Sequence, residues 1–354
     1  MNDRRNAAHN LVGKVLPGEW TVTEKIVRDA DATGGNFSVS YHVKGPNGEP
    51  GFCKVLDLTR ALFAPDPARV LQNLTESYNA ERDLLRMCGE RRLSRIVVAL
   101  HDGVIVLPEY QMAAVNFIIL ETADNDIRGL LNHSDAIDIV VRLRCLHHVA
   151  TGLQQLHKIG CAHQDVKPSN VLVFNSADPR PESKVGDLGR ASHQTREVWH
   201  DHLDIVGDPT YAPPEQLYRA TPIEFGPRRL ACDLYQLGGL ACFLFTNWTI
   251  NALLMRELHP SLNWTNWTGT YADVQRYVGD ALGRALEDLR SCAPKSIADD
   301  LVELVRALCN PDPALRGYSG PGLRSASGYA LDRIVTRLDL LARRAESLPP
   351  KGLP

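Results

Sequence analysis

The chain predicts an α+β fold in two parts, an antiparallel sheet carrying one main helix followed by a mostly helical region. Two observations point there. Residues 20–56 alternate apolar and polar side chains in short runs separated by glycine-bearing turns. Beyond about Ala123 the strand patterns stop, and apolar residues recur at helical spacing. A length of 354 residues is enough for two such parts.

Composition narrows the class. Apolar residues make up 44% of the chain and charged residues 23%, as in ordinary soluble globular proteins. The net charge is -3, with acids and bases interspersed, so charge gives no reason to expect a nucleic-acid partner. The eight cysteines are scattered without a CxxC pair, which reads as buried thiols in a reducing compartment rather than disulfides or zinc. The first twenty residues have no apolar core and are no signal peptide. The most apolar run, Leu234 to Phe245, is too short to span a bilayer. A cytoplasmic location with no membrane partner is therefore expected, and the sequons at Asn247, Asn263 and Asn266 read as coincidental.

In order along the chain, residues 1–19 read as a polar N-terminal extension. Strands follow at Trp20–Val27, Phe37–Val43 and Phe52–Leu56, with turns at Thr33-Gly34-Gly35-Asn36 and Gly45-Pro46-Asn47-Gly48. Lys54 lies mid-strand between Cys53 and Val55, and periodicity does not decide whether it faces solvent. A helix from about Ala68 to Arg86 carries the stripe Tyr78, Leu85 and Cys88, with Glu81 on it. A carboxylate there either sits at the solvent edge or needs a cation, for which Lys54 is available. Ile96–Leu100 and Val104–Leu107 read as a hairpin turning at His101-Asp102-Gly103, and Asn116–Leu120 as a further buried strand.

The helical part begins with Ile127–Leu131 and a long helix, Ala136–Lys158, which stops at Gly160. Pro179 and Pro181 mark a turn before Lys184. Residues 188–206 read as a long loop with solvated histidines at His193, His200 and His202. Asp233, with Gln236 three residues on, reads as the cap of the most apolar helix. Later helices are expected near Asp273–Leu289, Ile297–Leu308 and Gly328–Arg344, with residues 346–354 a disordered tail.

The chemistry concentrates at Cys161 to Phe174 and at Asp187. His163, Asp165, Lys167 and Asn170 form a polar cluster between an amphipathic helix and a short apolar strand. Two acids, an amide and a cation on loop-like segments suit phosphoryl transfer from a metal nucleotide. One carboxylate takes the hydroxyl proton, a carboxylate and an amide hold magnesium, and a cation balances phosphate charge.

With these residues in view, the chain over roughly 20–320 resembles the eukaryotic-type (Hanks-type) Ser/Thr protein kinase catalytic domain, a bilobal α+β fold. His163 to Asn170 resembles the catalytic loop, and Asp187-Leu188-Gly189 the magnesium-binding triplet. Gly207 to Glu215 resembles the segment closing the activation loop. Asp233 resembles the helix acid that braces the catalytic loop, and Arg316 the arginine that pairs with that segment's glutamate, Glu215. The resemblance implies lobes at 20–123 and 124–345, ATP and Mg2+ as cofactors, and a protein substrate phosphorylated on Ser or Thr, with autophosphorylation. It assigns Asp165 to the substrate hydroxyl, Lys167 to the transferring group, and Asn170 and Asp187 to magnesium. Lys54, fixed by Glu81, would contact the α- and β-phosphates, and Gly34 and Gly35 would cover them. Glu121 and Ala123 would offer backbone groups to adenine, with Leu120 guarding the pocket behind it.

Departures from the family pattern are equally legible. Only Gly35 remains at its place in the glycine loop, with Thr33 and Ser38 at the outer positions, so weaker nucleotide binding is expected. Leu188 replaces a phenylalanine, a mild change. Gln164 stands where an arginine often receives a loop phosphate, which implies activation independent of phosphorylation read through that position. Asp208 replaces a threonine beside Asp165 and Lys167. Asp208 and the thinned glycine loop are what favour the alternative of a pseudokinase acting as a nucleotide-binding or scaffold module. An antibiotic-phosphorylating enzyme fits less well, because such enzymes generally lack the Lys167 position and the Pro213-Pro214-Glu215 segment.

Overall fold

The computed structural model describes residues 6–27, 38–133, 137–178, 180–317 and 328–347. It divides into two compact units, Met1–Ala123 and Asp124–Pro354. The antiparallel sheet lies in the first and most of the helices in the second, as the hydrophobic patterns predict.

The first unit is built on a six-stranded sheet of order β1-β2-β3-β4-β6-β5. Its strands are β1 (Val15–Leu16), β2 (Trp20–Ile26), β3 (Ser38–Lys44), β4 (Pro50–Leu56), β5 (Ala99–Val106) and β6 (Ala114–Glu121). All neighbours pair antiparallel. The β3–β4 turn falls at the Pro-Asn-Gly sequence, with Gly48 at φ +88°. Helix α1 (Pro67–Glu90) starts at Asp66, whose side chain accepts the Arg69 N–H, with Pro67 at the first helical position. Leu74, Tyr78, Glu81, Leu85 and Cys88 form its buried face, and the Tyr78 hydroxyl donates to the Phe117 carbonyl.

Two expectations about this unit need correction. His101-Asp102-Gly103 is not a turn. It lies inside one continuous strand, β5, paired with β6 throughout apart from a bulge between Ala99 and His101. Asp102 there is held by the Arg86 guanidinium, and Gly103 leaves room for the Phe117 ring, whose Cζ would lie 3.1 Å from a Cβ at that position. The residues before Trp20 are also more than a polar lead-in. A short 3-10 turn, Ala7–His9, and strand β1 fold back on the sheet, and Ala7, Ala8, Leu11 and Leu16 are buried with Tyr41, Cys53, Val55 and Ile119. The Asn6 amide and the His9 ring anchor to Asp57, and the Tyr41 hydroxyl donates to the Ala8 carbonyl. Small apolar residues among polar ones gave too weak a period to register as an element.

The second unit opens with β7 (Asn125–Asp126), α2 (Ile127–His133) and α3 (Ile139–Lys158). The Asp138 side chain caps α3, and Gly160 follows it in the left-handed region at φ +78°. Short strands β8 (Cys161–Ala162), β9 (Val171–Phe174), β10 (Glu182–Val185) and β11 (Ser192–His193) shape the connecting segments. β9 pairs with β7 and β10, and β8 with β11. The turn residue Pro179 lies outside the described residues.

Helices α4 (Pro214–Leu217), α5 (Ala231–Thr246), α6 (Ile250–Glu257), α7 (Tyr271–Cys292), α8 (Lys295–Leu308) and α9 (Asp332–Glu346) complete the unit. Helix α5 is buried on nearly every side, as its unbroken apolar run requires. Helix α9 packs on α3, where Arg144 pairs with Asp339 and Glu346, so Glu346 belongs to a helix and not to a tail. Seven of the eight cysteines are buried, Cys292 is exposed, and none forms a disulfide. Among the described residues no single helix is long and apolar enough to cross a membrane.

If the N-terminal segment is part of the core, Leu11→Ala should cost about 2–5 kcal/mol, as for a buried leucine elsewhere. Urea unfolding of wild type and variant measures this. A loss under about 0.5 kcal/mol, the usual scale for a surface change, would return the segment to the status of an appendage.

Candidate functional site

The polar cluster of the second unit is organised from the first turn of α5. That helix begins after a π-turn at Gly226–Leu230, so Asp233 lies within its first turn and is not its cap. The fully buried Asp233 carboxylate accepts the backbone N–H groups of His163 at 2.8 Å and Gln164 at 2.6 Å, and the His157 ring contacts it at 2.8 Å. Gln236, one turn along, accepts the Val166 N–H and donates to the Gln164 carbonyl. The capping-box expectation for Asp233 and Gln236 is therefore overturned. Both side chains reach across to a loop instead of closing their own helix.

This grip holds Gln164 in the left-handed region at φ 63°, a conformation that costs a non-glycine residue free energy. The next residue, Asp165, is fixed on both oxygens. Oδ1 accepts the Asp208 N–H at 2.8 Å. Oδ2 lies 3.0 Å from Lys167 Nζ and accepts the Asn170 amide at 3.1 Å. His163 ties the loop to the segment before Asp187. Its Nδ1 faces the Asp165 N–H, so Nε2 carries the proton that bonds the Gly186 carbonyl.

Asp187 itself is left-handed, at φ 55°, and Gly186 donates to the Asn170 carbonyl. The Asn170 amide nitrogen bonds Asp165, which turns its oxygen into the end available to a cation. The Asn170 amide and the Asp187 carboxylate are both hard oxygen donors. Among the described residues no group of three or more His, Cys, Asp or Glu could hold a metal ion. This donor set fits magnesium, which takes one or two carboxylates with water and nucleotide phosphates, better than zinc or calcium.

Asp208 reaches the same lysine. Lys167 Nζ lies 3.5 Å from Asp208 Oδ2, so two carboxylates share one ammonium group. The approach depends on Gly207, where a Cβ would lie 2.3 Å from the Gln164 carbonyl oxygen. Glu215 and Arg316 pair in full burial through two contacts, at 2.7 and 2.5 Å. Burial works against the Arg316 charge, but Glu215 outweighs it and the guanidinium pKa is raised.

In the first unit, β4 is flanked by β3 and β6. Cys53 and Val55 face the core shared with the N-terminal segment. Lys54 points to the opposite face, where both Glu81 oxygens meet its ammonium group, at 2.8 and 2.9 Å. Pattern alone left both residues open, and the structure brings them together. Leu120 is buried at the end of β6. The Glu121 N–H donates to the Val98 carbonyl and its carboxylate accepts the Val98 N–H, which fixes the end of β6. Ala123 closes the unit in non-regular backbone. Gly34 and Gly35 lie outside the described residues.

The protein kinase domain family model matches residues 66–319. The chain belongs to that family. Among curated relatives it is similar to serine/threonine-protein kinase greatwall of Bos taurus, 28% identical over 43% of this chain and 16% of the relative. It is similar also to serine/threonine-protein kinase SSN3 of Phaeosphaeria nodorum, 28% identical over 58% of this chain and 43% of the relative. Cyclin-dependent kinase 12 of Caenorhabditis elegans is 30% identical over 47% of this chain and 22% of the relative. The chain thus aligns with less than half the length of each of these relatives. Its sheet unit and helical unit fit the bilobal kinase fold.

The kinase-like segment 188–206 corrects one expectation about its histidines. His202 is exposed, but His200 is buried, its Nε2 3.2 Å from the Ala191 carbonyl. Sequence reasoning also missed the role of Arg229 and Asp201. Arg229 donates to the Gln164 side chain at 2.6 Å and pairs with Asp201 at 3.0 Å. Burial lowers the Arg229 pKa to about 10 in spite of Asp201, so it is still charged at neutral pH. The pair is far apart in sequence and has no motif spacing, so only the fold could reveal it.

Burial holds the His200 ring at about 4, below its usual 6.5. Between those values the unfolded chain binds the proton and the folded one does not. Stability is then full above about pH 6.5 and falls by up to about 3 kcal/mol as pH drops towards 4. Denaturant titrations across pH 4–7 should show a shallower decline for His200→Gln. Equal slopes in both proteins would refute this assignment.

Proposed function

We propose that this protein is an ATP- and Mg2+-dependent kinase that transfers the γ-phosphoryl group to Ser or Thr of a protein substrate, including itself. The observation that carries the reading is the fixed Asp165 carboxylate with Lys167 at 3.0 Å and the Asn170 amide at 3.1 Å. Asp165 would orient the acceptor hydroxyl and take its proton, using lone pairs left over from its contacts to Asp208 and Asn170. Lys167 would set its charge against the transferring group. Asn170 and Asp187 would hold magnesium, which neutralises phosphate charge when bound. Lys54, braced by Glu81, would position the α- and β-phosphates. Leu120, Glu121 and Ala123 would border the adenine, with Gly34 and Gly35 above the phosphates. A lysine two residues after the aspartate and the Glu215–Arg316 pair favour protein over small-molecule substrates.

The sharing of Lys167 by Asp165 and Asp208 is the one contact that favours the other reading, a pseudokinase that binds nucleotide without turnover. Transfer of label from γ-labelled ATP, with wild type and Asp165→Asn side by side, separates the two. The variant should lose about 10²–10⁴-fold of the rate. Phosphosite mapping should place the label on serine or threonine. No transfer by wild type, or equal transfer by both proteins, would remove the catalytic reading.

A further inference from the structure

Resting on the kinase reading, the geometry points to Arg229 and Asp201 as positioning residues that set Asp165 through Gln164, with the Asp201 carboxylate serving as a built-in anion that makes phosphorylation of segment 188–206 unnecessary. The chain of contacts is continuous and lies within the second unit. Asp201 pairs with Arg229 Nη2 at 3.0 Å, and the same nitrogen donates to the Asp201 carbonyl at 2.7 Å. Arg229 Nη1 donates to Gln164 Oε1 at 2.6 Å. Gln164 Nε2 turns the other way, to Ser192 Oγ at 2.5 Å and the Arg190 carbonyl at 3.1 Å. The Ser192 hydroxyl donates to Asp201, closing the ring of contacts. Gln164 is thereby held by its backbone to α5 and by its side chain to the segment, and its next peptide bond carries Asp165.

The charges explain why a phosphate is not needed. Where an arginine beside the aspartate would require an outside anion, the neutral Gln164 requires none. The one buried guanidinium in the ring, 4% exposed, already has its carboxylate. Ser192 is 2% exposed with both its contacts inside the ring. A phosphate there would set two more negative charges against Asp201. Arg228 adds to the closure by donating to the Asp201 and Leu203 carbonyls, and Arg190 lies over the Trp199 ring at 5.5 Å.

The test compares the full chain as wild type, phosphatase-treated wild type, Asp201→Asn, Arg229→Lys and Asp165→Asn, using casein and histone as general substrates. Treated wild type should keep its rate. Asp201→Asn should lose between about 10-fold and 100-fold of kcat, the scale of a small misplacement of reacting groups, with KM for ATP little changed. Limited proteolysis should cut segment 188–206 in Asp201→Asn but not in Asp165→Asn, a readout that does not need turnover. Arg229→Lys keeps the charge but cannot reach both acceptors, so it should fall between wild type and Asp201→Asn. If Asp201→Asn does not fold, Arg229→Lys carries the same expectation of lower kcat at constant KM. Wild-type kcat in the ring variants, or loss of activity on phosphatase treatment, would overturn the positioning role. Absence of transfer by wild type under all conditions would defeat the kinase reading, and this inference with it.

Discussion

The carboxylate of Asp233 is the constraint on which the second unit's site depends. It is fully buried, and it is compatible with burial only because three donors meet it. Two of those donors are backbone groups of adjacent residues, His163 and Gln164. A flexible loop therefore inherits the rigidity of the most buried helix in the chain. The left-handed backbone at Gln164 and the orientation of Asp165 follow from that grip. Asn170, Gly186 and Asp187 are tied on through Asp165 and His163.

The first unit solves a similar problem with a strand. A lysine on a central strand would be exposed or costly unless a carboxylate met it. Placing Glu81 on the buried stripe of α1 supplies that partner within the same unit. The alternation that sends Cys53 and Val55 to one face sends Lys54 to the other. The apolar face is then covered by residues 7–16, which are too short and too mixed in character to advertise their burial.

Charge placement in segment 188–206 and beyond departs from the family pattern in a coherent way. A neutral side chain at Gln164, an internal carboxylate at Asp201 and a guanidinium at Arg229 balance one another. Asp208 adds a carboxylate beside Lys167, and the Lys167 ammonium lies between Asp165 and Asp208.

The sequence by itself determined most of the longer strands and helices, the change of character near Ala123 and the chemical residues. These are properties of short-range periodicity and of motifs whose members are close in the chain, such as His163 to Asn170. Turns inside β5 were misread because a His-Asp-Gly run signals a turn unless a neighbouring strand and Arg86 claim it. What only the tertiary structure decided depends on partners distant in sequence. Pattern left Lys54 and Glu81 open and read Asp233 as a cap, and only the family resemblance implied their partners, whereas His200 became buried and Arg229 met Asp201 and Gln164 with no such pointer. In each case the free energy of a buried polar or charged group is set by what surrounds it in space, which local pattern does not specify.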